Sequence, residues 1–364
     1  MPDPNVFQIR EYLKDYQGGA YKSFVVGADI GGTNTNLMLA EDGDAPEMVA
    51  SWHVPTRSYH NLTEPLSRMV HEAQTRYGAR PGSIAIAAAG PVVGHLRCKL
   101  TNAPVEVDAG EIEKALGVSC VVINDFEAIG FSINLLSGRY QESLVELKRD
   151  HATHPEPRGV RAALGAGTGL GKSILFHDRS MRFYVPAPSE GGHTDFAPQN
   201  GQEWEMAQFA REKLQRDQVF YEDFLSGRGL VNIYEFLRQQ GTESPSANEI
   251  EAAPDKAAAI SKCSRSDEAC REASQTFVTI YARCARNLSL DTLARGGLYI
   301  AGGIAARNAD WFTDGRFVNE YEHHATYPHI LRDIPVYLIT NYDTGMYGAV
   351  FAASKAAQLK EWWG

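Results

Sequence analysis

Two short glycine-rich turns, each entered from a β-rich run, limit the architectures open to this chain. Phe24-Val25-Val26-Gly27-Ala28-Asp29 runs into Gly31 and Gly32, and residues 36–42 follow as a second apolar strand. The order returns at Gly165-Ala166-Gly167-Thr168-Gly169-Leu170-Gly171-Lys172-Ser173, which leads straight into Ile174-Leu175-Phe176. β-Rich runs bounded by glycine read as strands, and strand, glycine turn, strand reads as a hairpin. Two such hairpins in one chain predict two similar halves.

The intervening segments alternate. Leu62, Leu66, Met69 and Val70 recur at helical spacing around residues 63–77, and 82–92 and 119–125 read as buried strands on either side of a helix over 109–117. After the second hairpin, 203–239 is mostly helical in pattern. The polar, Ala-, Ser- and Pro-rich stretch 241–262 is expected to be an insertion or mobile loop. A long amphipathic helix over about 267–290, strands at 297–305 and 334–340, and a last helix from about Tyr347 complete an α/β pattern. The 364 residues hold two domains at about 150 residues each. The division expected is a lead over 1–23, a small α/β domain from 24–123 plus 344–364, and a large one over 124–343 that carries the insert.

Lys and Arg number 35 against 45 Asp and Glu, a net charge of −10. No basic field exists to draw nucleic acid or an anionic membrane, so neither is an expected partner. The five cysteines, Cys98, Cys120, Cys263, Cys270 and Cys284, include no C-x-x-C pair. That argues against a disulfide framework or a thiolate zinc site, and points to a reduced, cytoplasmic protein. The first residues lack the pattern of a signal peptide, and no apolar run approaches the roughly 20 residues of a membrane span.

Asp29 at a strand end, followed by Gly31, Gly32, Thr33 and Asn34, is a phosphate cradle with a carboxylate for a divalent cation; an ordinary tight turn has the same letters. Ala166–Ser173 spells A-x-x-x-x-G-K-S, a relaxed P-loop pattern. A P-loop opens a helix, whereas β-rich residues follow here, so the hairpin reading prevails and Lys172 has no assigned role. Asn124-Asp125 closes a strand and opens a helix, where an Asp can be simply a cap. Its company weighs against that: Asn102 after Thr101, Glu190 and His193 in Ser-Glu-Gly-Gly-His, and Glu222, all at loop-like positions. Carboxylates, amides and imidazole together suit a neutral polyol, whose hydroxyls both donate and accept. Glu190-x-x-His193 is not the helical H-E-x-x-H of a zinc hydrolase. Gly302-Gly303, after an apolar strand, lets a flat ligand approach the backbone or simply opens a helix.

Taken in order, ADIGGTN (28–34), AGPVVG (89–94), LTN (100–102), INDF (123–126), GAGTGLG (165–171), EGGHTDFAP (190–198), LSGRGLVNIY (225–234), YIAGGIAAR (299–307) and RDIPVYLI (332–339) resemble the bacterial-type glucokinase family of the actin-like ATPase superfamily of sugar kinases. The absence of the Cys cluster that binds zinc in a related branch makes it similar to the zinc-free one, and no helix-turn-helix pattern precedes Phe24. The resemblance implies an α/β protein of two RNase H-like domains around a deep cleft, each with a mixed five-stranded sheet. It implies that Asp29 holds Mg²⁺, that Gly31–Asn34 binds phosphate with Gly167, Thr168 and Gly169 as the partner loop, and that Gly302 and Gly303 face the adenosine of ATP. By the same resemblance Asn102, Asn124, Asp125, Glu190, His193 and Glu222 hold the sugar, Gly169 lies beside them, and Asp125 is the base. A cytoplasmic homodimer that phosphorylates glucose and closes on it is the expectation. The alternatives are a kinase for fructose, mannose, glucosamine or N-acetylmannosamine, and a non-catalytic sugar sensor.

Overall fold

The computed structural model describes residues 7–13, 16, 22–101, 103–148 and 154–363. Along the chain come β1 (Gln8–Glu11), β2 (Phe24–Ile30), β3 (Asn34–Glu41), β4 (Glu47–Pro55), α1 (Thr63–Tyr77), β5 (Pro81–Ala88), three short strands β6 (Val92–Val93), β7 (Arg97–Lys99) and β8 (Glu106–Asp108), α2 (Ala109–Leu116), β9 (Ser119–Asn124) and α3 (Asp125–Leu136). There follow β10 (Leu144–Glu146), β11 (Arg161–Ala166), β12 (Leu170–Asp178), β13 (Phe183–Ala187), α4 (Gly201–Leu214), α5 (Gly227–Gln239), α6 (Ala247–Ala252), α7 (Lys256–Cys263) and α8 (Glu268–Thr292). The chain ends with β14 (Gly297–Ala301), α9 (Gly303–Arg307), α10 (Ala309–Thr313), α11 (Arg316–Glu322), α12 (Pro328–Asp333), β15 (Val336–Ile339), α13 (Thr344–Ser354) and α14 (Ala356–Trp363).

Two compact units result. One comprises the described residues up to Gln141, Asp178–Pro186 and those from Asp343 on; the other comprises Glu142–His177 and Ala187–Tyr342. In the first, the sheet order is β1-β4-β3-β2-β5-β9, with β2 parallel to β5, β5 parallel to β9 and the remaining pairs antiparallel. α1 forms because Leu66, Met69, Ala73 and Tyr77 recur on one face and are buried. It stops at Gly78, whose φ of 64° ends it in the left-handed region. Burying each large apolar side chain of that face is worth about 1.5–3 kcal/mol. Trp52 and Ile30 lie fully buried in the same core, and α13 packs on α3 and β2.

The second sheet runs β10-β15-β14-β11-β12-β13. Read from the other edge, β13-β12-β11-β14-β15 repeats β4-β3-β2-β5-β9, so the two glycine turns occupy equivalent corners of a duplicated sheet. The expected five strands are corrected to six in each case: β1, from the segment taken as a lead, pairs antiparallel with β4, and β10 pairs antiparallel with β15. β1 alternates poorly, with Ile9 its one apolar residue, so periodicity could not reveal it.

The stretch 241–262 is likewise corrected from a mobile loop to helices α6 and α7. Ile250, Ile260 and Cys263 are buried there, and the fully buried Asp267 ties the segment to α8. Its carboxylate accepts from Ser244 Oγ at 2.7 Å, from the Ser246 N–H at 2.9 Å and from the Cys270 N–H at 3.0 Å. Burial alone would raise that carboxyl, but the Ser246 and Cys270 N–H groups and the Ser244 hydroxyl outweigh it and hold it below its ordinary value. Deep in this unit, Tyr281 of α8 donates its hydroxyl to Leu164 O at 3.0 Å, fixing the helix against the strand that leads into the second turn.

Candidate active site

The first glycine turn is closed by the Gly31 N–H donating to Asn34 O at 2.9 Å, with Asn34 already opening β3. Thr56 braces it from outside: its hydroxyl donates to Gly31 O at 2.8 Å and its N–H to Thr33 O at 2.9 Å. Among the described residues the N–H groups of Gly32 and Thr33 have no acceptor. Two neighbouring amides left open on a tight turn make an anion-binding concavity.

Asp29, the next-to-last residue of β2, lies just before this turn. Burial, then the negative charges of Asp125 and Asp343, push its carboxyl up to about 7. Asp343 itself accepts from Arg10 at 3.4 Å and from Tyr12 Oη at 3.1 Å, so the edge strand β1 and the residue after it reach this cluster. Crowded carboxylates are the kind of donors a divalent cation relieves, but among the described residues no group of three or more His, Cys, Asp or Glu side chains is placed to hold a metal ion.

Asp125 is placed by the start of α3. Asn124 caps the helix, its Oδ1 accepting from the Phe126 N–H at 2.9 Å, and Glu127 Oε2 accepts from the Asn124 N–H at 3.2 Å, which completes a capping box. Asn124 also donates from Nδ2 to Gly90 O at 3.3 Å. Asp125, the first helical residue, is exposed, and its Oδ1 accepts from the Phe126 N–H at 2.8 Å. The helix N-terminus favours a carboxylate there. Glu127, two residues on, is buried, and burial pushes its carboxyl up to about 7 against the opposing effect of the Asn124 N–H. Asn102 lies outside the described residues.

The second turn joins the equivalent strands but is one residue tighter and is furnished differently. The Gly167 N–H donates to Gly169 O at 2.8 Å, and Gly167 O accepts from the Gly227 N–H at 2.9 Å, at the start of α5. The N–H groups of Thr168 and Gly169 have no acceptor among the described residues. Glu222 is the hub beside it: Oε2 accepts from the Leu170 N–H at 3.0 Å, and Oε1 from Arg228 at 3.1 Å. His193 Nε2 lies 3.9 Å from Glu222 Oε1, while its Nδ1 lies 3.6 Å from Glu190 Oε2. The segment bearing Glu190 and His193 can lie flat on β12 because residue 192 is glycine; a Cβ there would stand 2.0 Å from Leu170 O. Gly169, Glu190, His193 and Glu222 thus converge, Glu190 and His193 open to solvent and Glu222 held.

A cavity of about 970 Å³ in the second unit is lined by Gly167, Thr168 and Gly303 together with Lys256 and Ser261 of α7 and Arg307 of α9. Gly302 turns the chain at its rim with φ 91°, and α9 begins at Gly303. The α7 wall was not foreseen from sequence. Its signal is Asp255 followed by Lys and three alanines, a capped helix start: Asp255 Oδ1 accepts from the Ala258 N–H at 3.0 Å.

Likeness to known proteins bears on the family and the fold. A sequence model described as Glucokinase matches residues 26–356. A glucokinase of Nostoc sp. is 34% identical over 352 residues, covering 92% of this chain and 99% of the relative, and one of Mesorhizobium japonicum is 34% identical over 315 residues, covering 86% of each. The crystal structure of a glucokinase from an Antarctic psychrotroph is similar with a TM-score of 0.75 at 25% identity, over 91% of this chain and 98% of the other. The duplicated sheet order, the two open glycine turns and a match along nearly the whole chain therefore lead to one assignment: an α/β protein of the actin-like ATPase fold, this chain belongs to the glucokinase family.

Proposed function

We propose that the protein transfers the γ-phosphoryl group of ATP to the 6-hydroxyl of D-glucose, giving glucose 6-phosphate and ADP. The observation that carries the reading is Asp125, an exposed carboxylate fixed at a helix N-terminus beside Asp29. A sugar hydroxyl is a poor nucleophile at neutral pH, so a carboxylate must take its proton as the oxygen–phosphorus bond forms and the bond to the β-phosphate oxygen breaks. Asp125 is that base. Asn124, Glu190, His193 and Glu222 orient the hydroxyls, with Gly169 beside them. The open amides of Gly32, Thr33, Thr168 and Gly169 receive phosphate oxygens, Asn34 lies next to the first pair, and Gly302 and Gly303 border the space for adenosine. Asp29 would hold Mg²⁺, which neutralises phosphate charge during transfer.

An acidic protein cannot attract ATP through its net field, so local amides must do so. We further propose a homodimer acting in the cytoplasm. No helix of the described residues is long and apolar enough to cross a membrane, and the five cysteines are free and buried. Sedimentation of the purified protein tests the dimer.

The deciding experiment is a coupled assay of ADP release across hexoses and phosphoryl donors. Glucose with ATP should give the highest kcat/KM. A higher value with fructose, mannose, glucosamine or N-acetylmannosamine would reassign the acceptor, and sugar binding without sugar-dependent ATP consumption would make the protein a sensor.

A further inference from the structure

We propose that Lys172, left without a role by the sequence, is a positioning residue that holds the two sugar-recognising segments of the second unit on a common floor. The inference rests on the reading of Glu190, His193 and Glu222 as sugar ligands.

Lys172 lies on β12 opposite Leu164 and is 9% exposed. Burying an ammonium costs several kcal/mol unless it is partnered, and among the described residues no carboxylate pairs with it. Its partners are instead the segments that carry the site. Nζ donates to Thr194 Oγ1 at 3.2 Å, and that hydroxyl donates onward to Gly191 O at 2.9 Å. The stem passes directly under Gly191, where a Cβ would stand 2.6 Å from Lys172 Cδ. Nζ also lies 5.3 Å from the centre of the Tyr221 ring, a cation–π contact with the residue preceding Glu222. The Tyr221 N–H in turn donates to Thr194 O at 3.0 Å. From below, the Cys284 thiol faces the same ammonium; burial pushes that thiol up to about 11, with Lys172 opposing the shift.

One cation therefore touches Thr194, which closes the Glu190–His193 turn, and Tyr221, which sets Glu222. Removing it should loosen both segments together and spare the nucleotide, because Lys172 does not line the cavity bordered by Gly167, Thr168 and Gly303. The P-loop spelling suggests the opposite, a lysine that reaches phosphate, and the two roles separate in kinetics.

Steady-state kinetics of Lys172→Met, Lys172→Gln, Thr194→Val and the Lys172→Met/Thr194→Val pair test the proposal. Lys172→Met should raise the glucose KM about tenfold and leave the ATP KM within about twofold, and Thr194→Val should raise the glucose KM about threefold. The double variant should be no worse than Lys172→Met alone, since both remove one chain of contacts. Lys172→Gln, which keeps a donor for Thr194, should recover most of the affinity. Hydrogen exchange on the substrate-free protein adds a readout independent of turnover: the amides of Gly191–Thr194 should exchange faster in Lys172→Met. An unchanged glucose KM, an ATP KM that rises more than the glucose KM, multiplying single effects, or unchanged exchange would overturn the positioning role. A wild-type protein that neither binds nor phosphorylates glucose would instead overturn the sugar-ligand reading, and the exchange result would still decide whether Lys172 holds the segment.

Discussion

The two glycine turns share a scaffold and differ in how the carboxylates around them are partnered. Beside the first, burial and then the charges of Asp125 and Asp343 raise Asp29, and burial raises Glu127. In the second unit Glu222 accepts from the Leu170 N–H and from Arg228, and Asp267 is saturated by Ser244, Ser246 and Cys270. A duplicated sheet therefore carries two kinds of acid. One kind is pushed up by burial and neighbouring charge and is suited to a cation and a proton; the other spends its lone pairs on fixing neighbouring groups.

If that division is right, substitutions in the two sets should fail differently. The largest effect belongs to Asp125→Ala, which should lower kcat by about 10²–10⁴, or about 3–5 kcal/mol of barrier, while ATP binding measured by calorimetry stays within about threefold. Turnover at the wild-type level would remove Asp125 from the mechanism and leave the first turn without its distinguishing chemistry.

Asp267→Asn comes next and should fail in stability rather than chemistry. The asparagine amide would face the Ser246 N–H, two donors in a buried place, at a cost of about 2–4 kcal/mol in urea unfolding near pH 7. Its pH dependence follows from the sign of the shift. A carboxyl held below its ordinary value stabilises the fold above about pH 4, and that contribution is lost as pH falls through the lower native value. The gap between variant and wild type should therefore narrow as pH falls below about 4; a gap of constant size would mean that Asp267 acts by shape rather than charge.

How much of this the sequence could reveal depended on range. Thr63–Tyr77 was legible because a helix writes its buried face every three to four residues, and the glycine turns because strand and glycine alternate locally. β1 was not, because an edge strand with one apolar residue has no period and exists through its pairing with β4. The α6–α7 segment was misjudged for a related reason. Its composition is polar, but Asp267, beyond its end, supplies the acceptors that order it. At the site, residue types pointed to polyol chemistry, whereas the hub role of Glu222 needed the fold, since Leu170 is 52 positions away from it. Lys172 is the sharpest instance: its spelling suggested phosphate, and its surroundings are Thr194 and Tyr221.

Glu222→Gln probes the saturated set at the site itself. The amide would keep one acceptor for Leu170 or Arg228 but not both, so the glucose KM should rise about 10–30-fold, roughly 1.4–2 kcal/mol, with a smaller change in kcat. A fall in kcat as large as that of Asp125→Ala would mean that Glu222 takes part in the chemical step, and the division between the turns would collapse.

The smallest effect expected is that of Glu127→Gln, and its sign opposes that of Asp267. The unfolded chain releases this proton near 4.5 and the folded protein near 7, so wild-type stability declines as pH rises between those values. Glutamine keeps an acceptor for the Asn124 N–H and never ionises. The stability of the variant relative to wild type should therefore grow by about 1–2 kcal/mol from about pH 5 to about pH 6.5, while a weaker cap would lower the variant equally at every pH. Parallel urea titrations of the two proteins across that range read it directly. An unchanged slope would mean that Glu127 is ionised in the fold, with its cap bond outweighing burial. The raised acids beside the first turn would then narrow to Asp29, whose carboxyl is pushed up by burial and then by the charges of Asp125 and Asp343.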